Sequence, residues 1–256
     1  MHSNGRTQKL ADHTFSTFCL TLDLARNMQL AHEEIEALGI GALLHEAGWA
    51  HIPLHLMGKR SPYTTTERKL IEKHTVLAMR ALTQCDLPAL AHRIIAEHHE
   101  LCNGQGYPRK LNDEQIHPLS KLFTVVDQYD ERVHQLSDQN GLTPTGALRK
   151  LYLDAEKNVY DTDAVGQLIA LLGVYPISSV VTLNDGSIGI VREVPANAPL
   201  QPLIEVRIDA HGNALNKPFY QDLAHTADDE QALRITQVVD LSNLPPQHQQ
   251  RLQFHA

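Results

Sequence analysis

The chain has 256 residues, enough for one large domain or for one domain with a smaller companion. Its 22 basic and 30 acidic side chains leave a net charge of -8 with histidine neutral, which argues against a general binder of nucleic-acid polymers, because such proteins present basic surfaces. Three cysteines, at 19, 85 and 102, are odd in number and irregularly spaced; they argue against a disulfide frame or a Cys-rich zinc site and read as free thiols in a reducing compartment.

The 16 histidines are the compositional outlier. No apolar run approaches the ~18 residues of a membrane span. The opening MHSNGRTQ carries no apolar signal segment, so the cytoplasm is the expected location.

Residues 8–30 place Ala11, Phe15, Phe18, Leu22 and Ala25 at helical spacing, which predicts a helix buried along that stripe with His13 within it. A second helix is predicted over 32–47. Glu33 and Glu34 sit in its first turn, where the helix dipole favours acids, and Ile35, Leu38, Leu43 and Leu44 lead into His45-Glu46 before Gly48 stops it. Residues 51–63, with Pro53, Gly58 and Pro62, read as a loop bearing Lys59 and Arg60. Thr64 and Glu67 have capping-box spacing, and the helix they open carries a stripe of Leu70, His74, Leu77 and Ala81. Leu87, Ala91, Ile94 and His98 repeat the pattern on the next helix. A neutral imidazole on such a face must find a partner or carry a desolvation cost.

That helix ends in His98-His99-Glu100 and breaks into Asn103-Gly104-Gln105-Gly106-Tyr107-Pro108. Imidazole is the commonest ligand for transition metals, and a helix ending in His-His before a rigid Gly/Pro loop can hold a metal while shaping a cleft. The plainer alternative is one buried and one solvated histidine before an ordinary turn. Pro118 and Ser120 open a helix through Leu122, Phe123, Val126 and Tyr129, on which Asp127 borders the buried stripe and needs a cation or donors. Thr143-Pro144 is a good cap for a helix with Leu148, Leu151 and Tyr152. A further helix runs from Asp163 to Leu172 and ends at Gly173.

From Tyr175-Pro176 the texture turns to β. Ile177 to Leu183, the hairpin signal Asn184-Asp185-Gly186, alternation over Ile188 to Val194 and Leu203 to Ile208, and the turn His211-Gly212-Asn213 predict a small antiparallel meander over 177–222. One more strand is expected at Arg234 to Leu241, and the Gln-rich QHQQRLQ reads as solvated or frayed.

His13, His45, Glu46, His74, His98, His99 and Asp127 come from five predicted helices. All-helical domains build metal sites from inward-facing side chains on neighbouring helices. Five imidazoles and two carboxylates exceed the needs of one tetrahedral zinc and suit two metal ions with bridging carboxylates. The nitrogen and oxygen mix suits iron, manganese, nickel, cobalt or zinc without choosing among them. Two metals a few ångströms apart are the usual clamp for phosphoryl-ester hydrolysis.

The segments His45-Glu46, His74, His98-His99-Glu100, Gly106-Tyr107-Pro108 and Val126-Asp127 resemble the HD-GYP family, a branch of the HD phosphohydrolase superfamily. LLHEAGWAHIP is similar to the family's LLHDIGKxxIP, and HHELCNGQGYP to its HHExxDGxGYP. The resemblance covers residues 8–172 and implies a mainly α fold, an HD-type helical bundle over 1–172, followed by a small antiparallel β extension over 173–256. It implies two divalent metal ions, iron or manganese first and nickel, cobalt or zinc as alternatives, held by His13, His45, Glu46, His74, His98, His99 and Asp127. The implied reaction is hydrolysis of cyclic di-GMP to pGpG or GMP by a metal-activated water, with Glu46 and Asp127 as catalytic carboxylates. Lys59, Arg109, Gly106, Tyr107 and Pro108 would approach the nucleotide. A partner signalling domain such as GGDEF at the GYP loop, and a homodimer, are further expectations of the resemblance.

The chain departs from the family pattern at informative places. Glu46 stands where the family has Asp, and Trp49 where it has a Lys close to the metals and the substrate phosphate. Lys9 occupies a position where three-metal members have Glu, so a third metal is not expected. Leu136-Ser137-Asp138 replaces the usual Arg-Pro-Tyr. The metal ligands are thus better kept than the substrate contacts. Two readings follow: a cyclic di-GMP phosphodiesterase, or a degenerate member acting as a signalling, interaction or nucleotide-sensing module.

Overall fold

The computed structural model describes residues 4–57, 62–134, 141–195, 198–224 and 232–252. It divides into two compact units, Met1–Leu142 with Arg149–Leu168 and Thr143–Leu148 with Ile169–Ala256. The helices are α1 (Asn4–Asn27), α2 (His32–Leu44), α3 (Leu54–Met57), α4 (Thr65–Ile71), α5 (His74–Ala81), α6 (Ala89–Glu97), α7 (Pro118–His134), α8 (Pro144–Ala155), α9 (Thr162–Leu172) and α10 (Pro246–Leu252). The mainly α fold with an antiparallel β extension is the architecture expected from the sequence.

In the helical unit, α1 packs on α2 and α7, α2 on α6, and α6 on both α5 and α7. The face that α1 buries differs from the predicted stripe. Phe15 is 66% exposed, while His13, Thr17, Thr21, Leu24 and Ala25 are buried. The apolar stripe misleads because this helix turns a polar face inward, and Thr17 satisfies its hydroxyl on the His13 carbonyl at 2.9 Å.

The helix expected to run unbroken through His74 is two helices. Thr64 caps α4, its Oγ1 accepting from the Glu67 N–H while Glu67 accepts from the Thr64 N–H at 2.7 Å. The chain then turns at Glu72-Lys73 and restarts as α5 at His74. The ring of His74 donates to the carbonyl of Ile71, the last residue of α4, at 2.8 Å. That bond satisfies a carbonyl which a helix end would otherwise leave without a partner.

The second unit is a five-stranded antiparallel sheet, β1 (Val180–Leu183), β2 (Ile188–Glu193), β3 (Leu203–Ile208), β4 (Ala214–Asp222) and β5 (Ile235–Val238), in the order β4-β3-β2-β1-β5. Alternation sends Val181, Leu183, Val191, Ile204 and Val206 to one buried cluster. It sends Val180, Ile190 and Ile208 to a second, which Leu252 joins. The glutamine-rich stretch is a correction: its described part forms α10, with Pro246 at the start and His248 and Leu252 buried. One apolar anchor, Leu252, and a bond from His248 Nε2 to the Gly212 carbonyl at 3.0 Å hold a helix that composition reads as frayed.

Candidate metal centre

Three histidines lie where helices end. His45 follows α2, His98 follows α6, and His74 sits just beyond α4. Each ring donates from Nδ1 to a carbonyl three residues earlier, His45 to Ala42, His74 to Ile71 and His98 to Ile95, all at 2.8 Å. A carbonyl can only accept, so Nδ1 carries the proton in all three, and Nε2 is left as a bare lone pair aimed inward. His13, on α1, is oriented instead by Asp130, whose carboxylate meets its Nδ1 at 2.6 Å. Asp130 is itself held by the Ser16 hydroxyl and by His134 at 2.8 Å.

The Nε2 atoms then converge. His74 and His98 approach to 3.2 Å, and His45 and His13 to 3.4 Å. Among the described residues, His74, His98 and His99 form one group whose possible ligand atoms lie within 4.8 Å of one another, and His13, His45 and Asp127 form another. Two carboxylates connect them. Asp127 lies 3.1 Å from His13, 3.5 Å from His45 and 3.9 Å from His99. Glu46 lies 3.9 Å from His45 through one oxygen and 3.5 Å from His74 through the other. The seven side chains expected to act as ligands therefore lie together, at the meeting of α1, α2, α5, α6 and α7.

The electrostatics fit a cation-binding site. Burial holds His98 well below the usual imidazole range and His99 down at about 4, so both are neutral donors. For His13, burial works against protonation, but its contacts with Asp127 and Asp130 outweigh it and raise its pKa well above 6.5. Asp127 resists burial in the same way and stays ionised through His13 and His45. Glu131, one turn further along α7, is pushed up to about 7 by burial and by the Asp127 charge.

Divalent metal ions fit this donor set. Bare imidazole lone pairs 3.2 Å apart repel unless a cation lies near both. Glu46 Oε2 is buried with no hydrogen-bond partner, which is costly for a carboxylate oxygen unless it ligates.

The glycine loop is built by close approach and by two buried acids. A Cβ at Gly106 would lie 2.4 Å from the Leu101 nitrogen and 2.5 Å from the Glu100 Cα, so only glycine fits. Glu100 accepts from the backbone N–H groups of Arg109 and Leu111 at 2.7 and 2.8 Å. Tyr107 consequently lies over His99, ring centroids 4.7 Å apart, and edge-on to His74 at 6.2 Å. Pro108 and Arg109 line a groove of about 770 Å³ beside α5 and α6, with Thr75, Met79 and His92. The Arg109 guanidinium donates to Glu97 at 2.9 Å. Glu97 also accepts from Arg93 and from the His117 N–H at 3.0 Å each. Lys59, Arg60 and the 136–138 segment lie outside the described residues.

Sequence reasoning missed Asp130, Glu97 and the structural part played by Glu100. Asp130 was within reach, because it falls three positions after Asp127 on the same helix face. Glu97 gave a signal too, as an acid within an apolar helical pattern.

A model described as an HD domain matches residues 2–164, and one described as a KOW domain associated with HD domain matches residues 180–245. The chain is 29% identical over 200 residues to a cyclic di-GMP phosphodiesterase of Pseudomonas aeruginosa, covering 77% of this chain and 48% of that protein. It is 25% identical over 205 residues to a cyclic di-GMP phosphodiesterase of Borreliella burgdorferi, covering 80% of this chain and 54% of that one. The chain thus spans about half the length of these relatives. Its fold is similar to that of an HDG"Y"P protein from Bdellovibrio bacteriovorus, with a TM-score of 0.51 and 23% identity over 61% of this chain and 50% of that one. With the HD model spanning well over half of its length, the chain belongs to the HD domain family.

Proposed function

We propose that the helical domain is a metal-dependent phosphodiesterase for cyclic dinucleotides, with cyclic di-GMP as substrate and pGpG or GMP as product. The observation that carries this reading is the pair of three-residue clusters joined through Glu46 and Asp127. His13, His45 and Asp127 would hold one cation and His74, His98 and His99 the other, with Glu46 shared. The nitrogen and oxygen mix admits iron or manganese, the ions that the family resemblance puts first. Two such cations supply an acidified water and positive charge for a phosphoryl group under attack.

The chain's own residues supply orientation. The Nδ1 bonds to Ala42, Ile71 and Ile95 fix three Nε2 lone pairs before any ligand arrives, and the Asp130 contact orients the His13 ring, which gives up a proton on ligating. Tyr107 presents an aromatic face at the rim, where a guanine base can stack. Burial keeps its hydroxyl protonated, so it adds no charge against a phosphate. The relatives from Pseudomonas and Borreliella, named as cyclic di-GMP phosphodiesterases, support the substrate class. No helix among the described residues is long and apolar enough to cross a membrane.

A second reading, binding or signalling without turnover, has one observation in its favour. Trp49 stands at the cleft where the family pattern has a Lys, and its indole stacks on His74. Turnover of cyclic di-GMP by protein loaded with manganese or iron separates the two. Production of pGpG supports the enzyme, and full metal occupancy without product overturns it.

A further inference from the structure

Trp49 is the chain's single tryptophan. Its indole lies against the ring of His74, centroids 5.6 Å apart and planes 25° from parallel. Its Nε1 is buried and has no hydrogen-bond partner. On the same turn, three residues earlier, Glu46 Oε2 is also buried and unpartnered. The turn cannot slide away from this arrangement. It is a short 3-10 segment, Ala47–His51, in which the Trp49 N–H bonds back to the Glu46 carbonyl at 3.0 Å. Gly48 packs so tightly against α5 that a Cβ there would fall 1.8 Å from the His74 carbonyl oxygen.

A fixed N–H donor, removed from water and left unmatched, costs stability and is retained where a ligand completes it. Among the described residues no Lys or Arg forms an ion pair with Glu46 or Asp127; their charged neighbours within 4 Å are histidines. Of the two cations expected nearby, Arg109 is engaged by Glu97, and Lys59 lies outside the described residues. The acceptor that fits a neutral donor beside a dication cluster is an anionic oxygen.

We propose that Trp49 positions the substrate: its indole N–H donates to a non-bridging phosphate oxygen of the nucleotide, while its ring face holds His74 in its ligating orientation. This rests on the phosphodiesterase reading and adds to it a specificity-determining contact that belongs to this chain. A neutral donor recognises a phosphodiester oxygen by direction and not by charge, so removing it should leave the ionic-strength dependence of binding unchanged.

The test compares the wild type with Trp49→Phe, both loaded with manganese. Phenylalanine keeps the stack on His74 and removes the donor. Metal content should be equal in the two. The affinity for cyclic di-GMP, read by calorimetry, should fall about tenfold in the variant, as expected for losing one hydrogen bond to a charged acceptor. The wild type's tryptophan emission should change when cyclic di-GMP is added, since the lone fluorophore is in contact with it. Equal or tighter binding by the variant overturns the assignment and makes Trp49 a plug. Turnover by the wild type with no change in the variant's affinity sinks Trp49 and leaves the enzyme reading standing. A tenfold loss of affinity without turnover in either protein sinks the enzyme reading and leaves Trp49 as the donor. No binding by the wild type overturns both.

Discussion

The interior of the sheet unit is Val181, Leu183, Val191, Ile204 and Val206. At the same depth the helical unit keeps His13, His45, His74, Glu97, His98, Glu100, Asp127 and Asp130. The first is held by removal of apolar area from water, which needs no exact partner. The second is stable only while each group has its partner, because an unmatched buried charge or lone pair is costly. The contrast shows where function sits. The helical unit gathers its buried charges and imidazoles in one place, whereas the sheet unit's few buried polar groups, such as Ser179, Glu205 and His248, are scattered, and two of the buried atoms left without a hydrogen-bond partner, Glu46 Oε2 and Trp49 Nε1, are beside the cluster's histidines.

The sharpest way to break the comparison is to remove metal. Chelation should lower the unfolding temperature of the helical unit by about 10 °C, corresponding to ~4 kcal/mol of binding linkage at saturating metal, and leave the sheet unit's transition in place. Scanning calorimetry with and without chelator reads both, and an equal shift in the two units would erase the distinction. Next in size is Ile204→Ala, which hollows a fully buried position of the sheet. It should cost roughly 2–5 kcal/mol in that unit while metal content and nucleotide binding stay unchanged.

Asp130→Asn tests the polar side of the comparison more finely. It keeps the shape beside His13 and removes the charge that orients it. Metal affinity should fall about 10–100-fold with little change in folding, measured by competition against a chelating dye. The smallest effect is a proton count. In the metal-free protein His13 is held protonated between Asp127 and Asp130, whereas His98 and His99 are already neutral. A raised histidine pKa means that the proton is present at pH 7 and is lost only as pH rises through the shifted value. Manganese binding at pH 7 should therefore release about one proton, and the release should vanish above the raised pKa. Calorimetry in buffers of different ionisation enthalpy measures it, and uptake of a proton would contradict the assignment.

Much of this was legible before the structure. The capping box at Thr64, the His-His helix end, the Gly106 loop and the hairpin at 184–186 have local causes, and local causes are written in short stretches of sequence. The buried face of α1 was not legible in that way. Phe15 is exposed and Thr17 and Thr21 are inward, because the helix answers to a polar cluster assembled from distant segments. Asp130 and Glu97 were overlooked for the same reason: their roles depend on His13 and Arg109, which lie 117 and 12 positions away. The described α10 was missed because composition cannot show that Leu252 has a place in the sheet's second cluster.

Elemental analysis of the purified chain, grown with iron or manganese supplied, bears most directly on the paired-cation centre. The arrangement of His13, His45 and Asp127 against His74, His98 and His99 predicts about two ions per chain, falling below one when Asp127 is changed to Ala. A wild-type protein that is folded, supplied with metal and still holds less than one ion per chain would contradict it.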